Sequence, residues 1–159
     1  MRVVAEPLTA EAFAAFGQVL EAPRPEPRQD RAGRLDNRRA GAAANLALVR
    51  AAPVTLPLRV LKLERHPFSS QAFLPLDAAR YLVLVCPSDG EGRPRLDGLR
   101  AFVAAGHQGI NYDADVWHHG MAALERPGTF AMLVHEDGSA GDTEFIDVEG
   151  EVTVAAPGA

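Results

Sequence analysis

Between residues 54 and 155 the chain is a series of short apolar runs broken by turn signals, and this spacing limits the fold more than any other feature. The runs are Val54–His66, Gln71–Leu76, Tyr81–Pro87, Arg100–Ala104, Gly109–Asp113, Val116–Leu124, Thr129–His135, Glu144–Val148 and Val152–Ala155. Ser88-Asp89-Gly90, Gly106, Pro127-Gly128, Asp137-Gly138 and Glu149-Gly150 punctuate them. Short strands at regular spacing with almost no helix predict an all-β protein, closed or double-sheeted and antiparallel. Upstream, Arg2–Ala5 reads as an edge strand and Gln18–Glu21 as another strand. Thr9–Gly17 reads as one short N-terminal helix, with Thr9 as its cap, Glu11 at its positive end and Gly17 as a left-handed stop. Its buried stripe would be Leu8, Ala12, Phe13 and Phe16. Ala40–Ala52 fits either helix or strand. Pro23–Arg34, with three prolines and almost no apolar content, reads as a loop: a solvated excursion, or else a lid or dimer arm.

A chain of 159 residues with 47% hydrophobic and 23% charged residues fits one soluble domain spanning 1–159. A net charge of −5 argues against a nucleic-acid partner. The single cysteine, Cys86, lies in Tyr81-Leu82-Val83-Leu84-Val85-Cys86 and is expected to be an inert core thiol; no disulfide or cysteine-based zinc site is available. No apolar run approaches the ~20 residues of a membrane span, and the N-terminus has no signal-peptide pattern, so the expected location is the cytoplasm, with no membrane partner.

Chemistry-bearing residues concentrate in two places. In Glu64-Arg65-His66-Pro67, an extended chain puts Val60, Lys62, Glu64 and His66 on one face and Leu61, Leu63 and Arg65 on the other. Pro67 ends the pairing, and Gln71 opens a second strand able to fold back beside the first. Glu64, His66 and Gln71 can then form three corners of a metal site: a carboxylate, a neutral imidazole nitrogen and an amide oxygen. His118 would be the fourth. A set with total charge −1 suits a borderline divalent ion such as nickel, zinc, manganese or iron, held less firmly than by three histidines and a carboxylate. A hydrogen-bonded Glu64–His66 pair at a strand end, with Gln71 completing a turn, satisfies the same spacing. Spacing alone leaves both readings open.

The second place is Tyr112-Asp113-Ala114-Asp115-Val116-Trp117-His118-His119. Adjacent strand residues face opposite ways, so Val116 and His118 share one face and Trp117 and His119 the other. Tyr112 is either a hydrogen-bond donor at a pocket rim or a packed ring. Arg80 and Arg100 are either carboxylate clamps or surface charges. Lys62, the only lysine, is expected to be an ion pair rather than an imine former. There is no Gly-rich phosphate loop and no GxSxG elbow.

Together, Leu63-Glu64-Arg65-His66-Pro67, Gln71-Ala72-Phe73-Leu74-Pro75, Leu99-Arg100-Ala101-Phe102, Gln108-Gly109-Ile110-Asn111-Tyr112 and Val116-Trp117-His118-His119 resemble the ureidoglycolate lyase family of the cupin superfamily. The resemblance runs from Leu8 to about Asp142 and implies a cupin-type double-stranded β-helix (jelly-roll) barrel. Glu64-x-His66-x₄-Gln71 stands where cupins carry HxH(x)₄E, and Asp113-x-Asp115-x-x-His118 where they carry PxGxxH. That maps the metal positions onto Glu64, His66, Gln71 and His118, with nickel or zinc as the expected ion, held weakly or dispensed with. The implied activity is cleavage of ureidoglycolate to glyoxylate and urea in allantoin and purine catabolism. His118, His66, Tyr112 and His119 are the implied catalytic residues, and Arg100 and Arg38 the substrate-binding ones. One stretch departs from the family: Ala42 stands where an arginine is expected and Arg38 where a glycine is, leaving Arg38 or Arg39 to anchor a carboxylate. The competing class is a cupin that binds a small carboxylate without this activity, either a sensor or another metal-dependent enzyme. The expected assembly is a homodimer.

Overall fold

A computed structural model describes residues 1–158, so the last residue of the expected 1–159 unit lies outside it. The first strands are β1 (Arg2–Val4), β2 (Glu6–Pro7), β3 (Gly17–Leu20), β4 (Ala43–Ala51) and β5 (Leu58–Arg59), with helix α1 at Ala10–Phe13. Next come β6 (Lys62–Arg65), β7 (Gln71–Asp77), β8 (Arg80–Cys86), β9 (Arg100–Ala105) and β10 (Gly109–Tyr112). The last are β11 (Trp117–His118), β12 (Ala122–Leu124), β13 (Gly128–Glu136), β14 (Glu144–Asp147) and β15 (Thr153–Ala155). Five strands form one sheet in the order β3-β10-β7-β13-β4, and a second runs β14-β6-β11-β8-β9-β2 with β12 attached to β8. All pairings within these two sheets are antiparallel except β2 with β9. The expected mostly β architecture, with one short α-helix among the described residues, is what the chain forms.

Alternation along β8 explains the layering. Tyr81, Val83 and Val85 pack with Phe13, Phe73, Phe102, Ile110, Tyr112 and Phe130 between the two large sheets. Leu82, Leu84 and Cys86 face the other way, onto Trp117, Val60, Leu63, Val152 and Val154. That second core is covered by a small sheet, β1-β15-β5, which joins the two ends of the chain. An apolar run without alternation is what a strand buried on both faces requires. Edge-on aromatic pairs knit the inner core, with Tyr81 and Phe130 5.1 Å apart at 76° and Phe13 and Phe102 5.9 Å apart at 84°. Each such pair adds ~0.5–1.5 kcal/mol beyond its buried area.

Several local expectations need correction. Val54–His66 is not one strand. The chain bends between β5 and β6, so Val60 leaves the face of Glu64 and joins Leu63 in the outer core, while Lys62 stays exposed beside Asp147. The Val116–Leu124 run likewise breaks into β11 and β12. The ambiguous Ala40–Ala52 segment is strand β4, paired along its length with β13. Thr9 caps α1 by accepting from the Ala12 N–H at 3.1 Å, but the helix is over by Ala14. Gly17 is therefore not its stop: it begins β3, opposite Tyr112, where any Cβ would collide with the Asn111 carbonyl. Pro23–Arg34 is irregular, as expected.

Gly17→Ala should lower the unfolding free energy by about 1–3 kcal/mol, the usual cost of forcing volume into a packed site. Urea denaturation measures it; a loss under about 0.5 kcal/mol would contradict the close approach.

Candidate active site

Both sheets contribute to one point at the end of the inner core. His118 on β11 is the direct cross-strand partner of Glu64 on β6, which puts the two side chains on the same face of their sheet. Gln71 opens β7 in the opposite sheet, paired with Tyr112 and Val134. Pro67 ends the pairing as expected, but β7 does not fold back beside β6: the turn His66–Ser70 carries the chain across to the facing sheet, where β7 pairs with β10 and β13. His118 itself is aimed by a tight turn at 113–116, in which Asp115 has a positive φ of 75° and donates its N–H to the His66 carbonyl at 2.9 Å. This is where the resembled pattern carries glycine, and aspartate is among the few residues that tolerate that conformation.

The polar atoms then converge. His118 Nε2 lies 3.0 Å from Gln71 Oε1 and 3.5 Å from Glu64 Oε1. The His66 and His118 rings stack at 5.7 Å and 22°. The ligand atoms of Glu64, His66 and His118 lie within 4.8 Å of one another. His66, Gln71 and His118 are buried, and Glu64 retains partial exposure.

The protonation pattern follows from the backbone. His66 Nδ1 is 3.0 Å from the Asp142 carbonyl, and His118 Nδ1 is 2.9 Å from the Val116 carbonyl. A carbonyl only accepts, so each Nδ1 carries the hydrogen and donates it. In the neutral ring each Nε2 is then a bare lone pair. His66 Nε2 is buried with no partner at all. At His118, three acceptors face one another: Nε2, the Gln71 oxygen and the Glu64 carboxylate. Such a convergence calls for a proton or a cation between them, and an Nδ1-to-carbonyl bond is the usual outer support of a metal-bound histidine. The donor set thus fits a divalent ion, and the buried Glu64–His66–His118 cluster can bind one.

Burial, with the charge of His118 behind it, holds the His66 imidazole below its usual range. Burial pushes the Glu64 carboxyl up, but when a proton occupies His118 Nε2 in place of a cation, its hydrogen bond to Glu64 and the positive charge of the surrounding imidazoles outweigh that and leave the carboxyl below the usual range. The cluster therefore favours an ionised Glu64 beside a neutral His66.

The other expected residues are placed unequally. Tyr112 lies inside, its ring stacked on His118 at 4.1 Å and 13°, and its buried hydroxyl has no partner. Burial raises its phenol well above the ordinary value, so it stays protonated. His119 is half-buried, donates Nδ1–H to the Gly120 carbonyl at 2.7 Å and makes no hydrogen bond to the cluster. Arg100 is engaged elsewhere, gripping Glu6 at 2.6 Å and the Ala12 carbonyl at 2.7 Å. Arg38 is exposed on the turn after His66, with its N–H on the Phe68 carbonyl at 2.8 Å. Arg80 pairs with Glu125 at the surface. Cys86 is buried, its thiol pushed up to about 12, as expected of an inert group. The reading missed Asp142, whose contribution is a backbone carbonyl that side-chain chemistry does not announce. It also missed Met132, whose sulfur lies 3.2 Å from Gln71 Nε2 and helps turn the amide oxygen toward His118. A cavity of about 540 Å³ lined by Leu20, Leu35, Leu74, Pro75 and Leu133 lies on the outer side of the five-stranded sheet, facing away from this chemistry.

The family model described as "Ureidoglycolate lyase" matches residues 1–155. The chain is 42% identical over 140 residues to the ureidoglycolate lyase of Brucella anthropi, covering 82% of this chain and 81% of that one. It is 36% identical over 152 residues to a putative ureidoglycolate lyase of Agrobacterium fabrum (96% and 94%), and 35% identical over 162 residues to the ureidoglycolate lyase of Escherichia coli O139:H28 (94% and 94%). Among solved structures, a Bacillus subtilis oxalate decarboxylase studied for its Mn(II) centres overlaps 90% of this chain and 30% of its own, with a TM-score of 0.43 and 15% identity.

Two outcomes test the geometry. Tyr112→Phe removes an unsatisfied buried hydroxyl, so it should stabilise the protein by about 1 kcal/mol or leave it unchanged; a loss above 1 kcal/mol in urea titration would mean the hydroxyl is bonded. In chelator, the unfolded chain binds more protons at position 66 than the folded one, between the lowered folded pKa and the unfolded value of about 6.5. Stability should therefore rise with pH up to about 6.5, and His66→Gln should flatten that rise. An unchanged slope in the variant would contradict the buried neutral imidazole.

Proposed function

The chain belongs to the ureidoglycolate lyase family, and we propose that it cleaves ureidoglycolate to glyoxylate and urea at the Glu64–His66–Gln71–His118 cluster. The observation that carries this reading is the meeting of two inward imidazole lone pairs with a carboxylate and an amide oxygen drawn from facing sheets.

The reaction breaks the substrate O–H bond, makes the carbonyl of glyoxylate and breaks the C–N bond, and the departing urea nitrogen takes a proton. It needs an acceptor at the hydroxyl and a donor at the nitrogen, each typically worth ~10²–10⁴ in rate. Glu64, held ionised, is the acceptor. Tyr112 is the donor: its ring stacks on His118, and its hydroxyl stays protonated and is not engaged elsewhere. His119, outside the cluster's hydrogen bonds, is the weaker candidate. Glu64, His66, Gln71 and His118 are the residues that would hold a divalent ion, nickel or zinc by the mix of imidazole and oxygen donors. The chemistry such an ion supplies when bound is Lewis acidity, which lowers the pKa of a hydroxyl.

One observation favours a second reading. Arg39 is spent on acidic side chains, Arg100 on Glu6, and Arg38 is exposed against the turn after His66. With Ala42 in place of the expected arginine, a different small carboxylate is the alternative substrate or ligand. We further propose a cytoplasmic homodimer. Leu46, Leu48, Leu74 and Leu76 are exposed on the five-stranded sheet, and β4 is its open edge, a combination a second copy would cover.

Purified protein given ureidoglycolate, with a no-protein control for spontaneous decay, should release urea and glyoxylate in equal amounts. His118→Ala should abolish urea release while the protein keeps its fold by circular dichroism. Near-wild-type turnover in that variant would remove the cluster from the mechanism, and no turnover by the wild type would leave the second reading.

A further inference from the structure

Arg39 lies behind His66 rather than in the cluster. Its side chain is 18% exposed and reaches across almost a hundred residues of sequence to the segment after β13. One arm meets Asp137 Oδ2 at 2.8 Å and Ser139 Oγ at 3.3 Å, and the other meets Asp142 Oδ1. The Asp142 carboxylate also accepts the N–H groups of Asp137, at 3.0 Å, and Gly138, at 2.7 Å, which folds 137–142 into a closed loop. The carbonyl of that same Asp142 holds His66 Nδ1–H, with Thr143 Oγ1 3.3 Å from the same nitrogen.

The guanidinium also covers the Phe68 ring, 5.0 Å from its centroid, on the turn that leads away from His66. The chain around Arg39 is laid against that turn by main-chain bonds, Arg38 N–H to the Phe68 carbonyl at 2.8 Å and Ser70 N–H to the Asp36 carbonyl at 3.2 Å. His66 is thus braced on two sides by one side chain: by the carbonyl that takes its Nδ1 proton and by the turn that follows it.

We propose that Arg39 is a positioning residue, which fixes the Nδ1–H tautomer and ring orientation of His66 through the Asp142 loop and so keeps His66 Nε2 directed at Glu64 and His118. This rests on the reading of His66 as a site residue. It also assigns a role to an arginine that stands three positions from the one expected by family likeness. A planar fork is suited to the task because it binds Asp137 and Asp142 together, which a lysine ammonium does less rigidly.

Arg39→Gln, stripped of metal, should be compared with the wild type by ¹⁵N-resolved imidazole spectra at neutral pH, followed by zinc titration. The wild type should show His66 as a single Nδ1–H tautomer. In Arg39→Gln, His66 should become a tautomer mixture while His118, anchored on the Val116 carbonyl, keeps its signals. Zinc affinity should fall by about 10–100-fold, the usual cost of losing an outer support, and Arg39→Lys should recover part of it. Should Arg39→Gln not fold, Asp142→Asn, which keeps the carbonyl but weakens the grip, is read in the same way. Arg80→Gln, which breaks a surface ion pair, is the control and should change neither readout. An unaltered His66 tautomer with zinc affinity within about twofold of wild type would overturn the proposal, as would an equal His66 change in the control. If the wild type binds no zinc, the metal reading of the cluster fails, while the His66 spectra still decide the role of Arg39.

Discussion

Two hydrogen bonds from imidazole to main chain govern the character of the site. Because His66 and His118 each donate Nδ1–H to a carbonyl, both present Nε2 as an acceptor, at a point where Gln71 and Glu64 also present only acceptors. Reversing either tautomer would give the cluster its own internal donor and remove its need for a cation. The rest of the fold arranges these carbonyls. The 113–116 turn brings Val116 to His118, and the loop after β13 brings Asp142 to His66. The inner aromatic core, with Tyr112 stacked on His118, keeps the rings from rotating away.

Much of this was legible in the residues. Period-two alternation placed Trp117 and His118 on opposite faces, and they lie in the outer core and the cluster respectively. The apolar setting of Cys86 in Tyr81–Cys86 marked it as a core thiol, and Pro67 marked where the strand of Glu64 stops, though not that the next strand would join the facing sheet. The convergence of Glu64, His66, Gln71 and His118 was one of two readings that spacing left open, and the family resemblance, which maps the four positions together, selected it.

What escaped the sequence has physical reasons. The bend that moves Val60 to the outer core depends on two short strands pairing with different neighbours, a tertiary choice that local alternation does not carry. Strand β4 is Ala-rich, and only its long pairing with β13 decides its state. The supports of His66 are a carbonyl and a salt-bridged loop, and main-chain groups leave no mark in residue identity. Arg39 and Arg100 illustrate the converse: arginines conspicuous in the sequence turn out to hold acids and carbonyls that shape the barrel rather than reach its cluster.

The central claim is that both imidazoles address one centre through Nε2. X-ray absorption at the zinc edge of the zinc-loaded protein tests it most directly. The account predicts two imidazole nitrogens at about 2.0–2.1 Å with oxygen donors completing the shell. A spectrum showing one imidazole or none would contradict it.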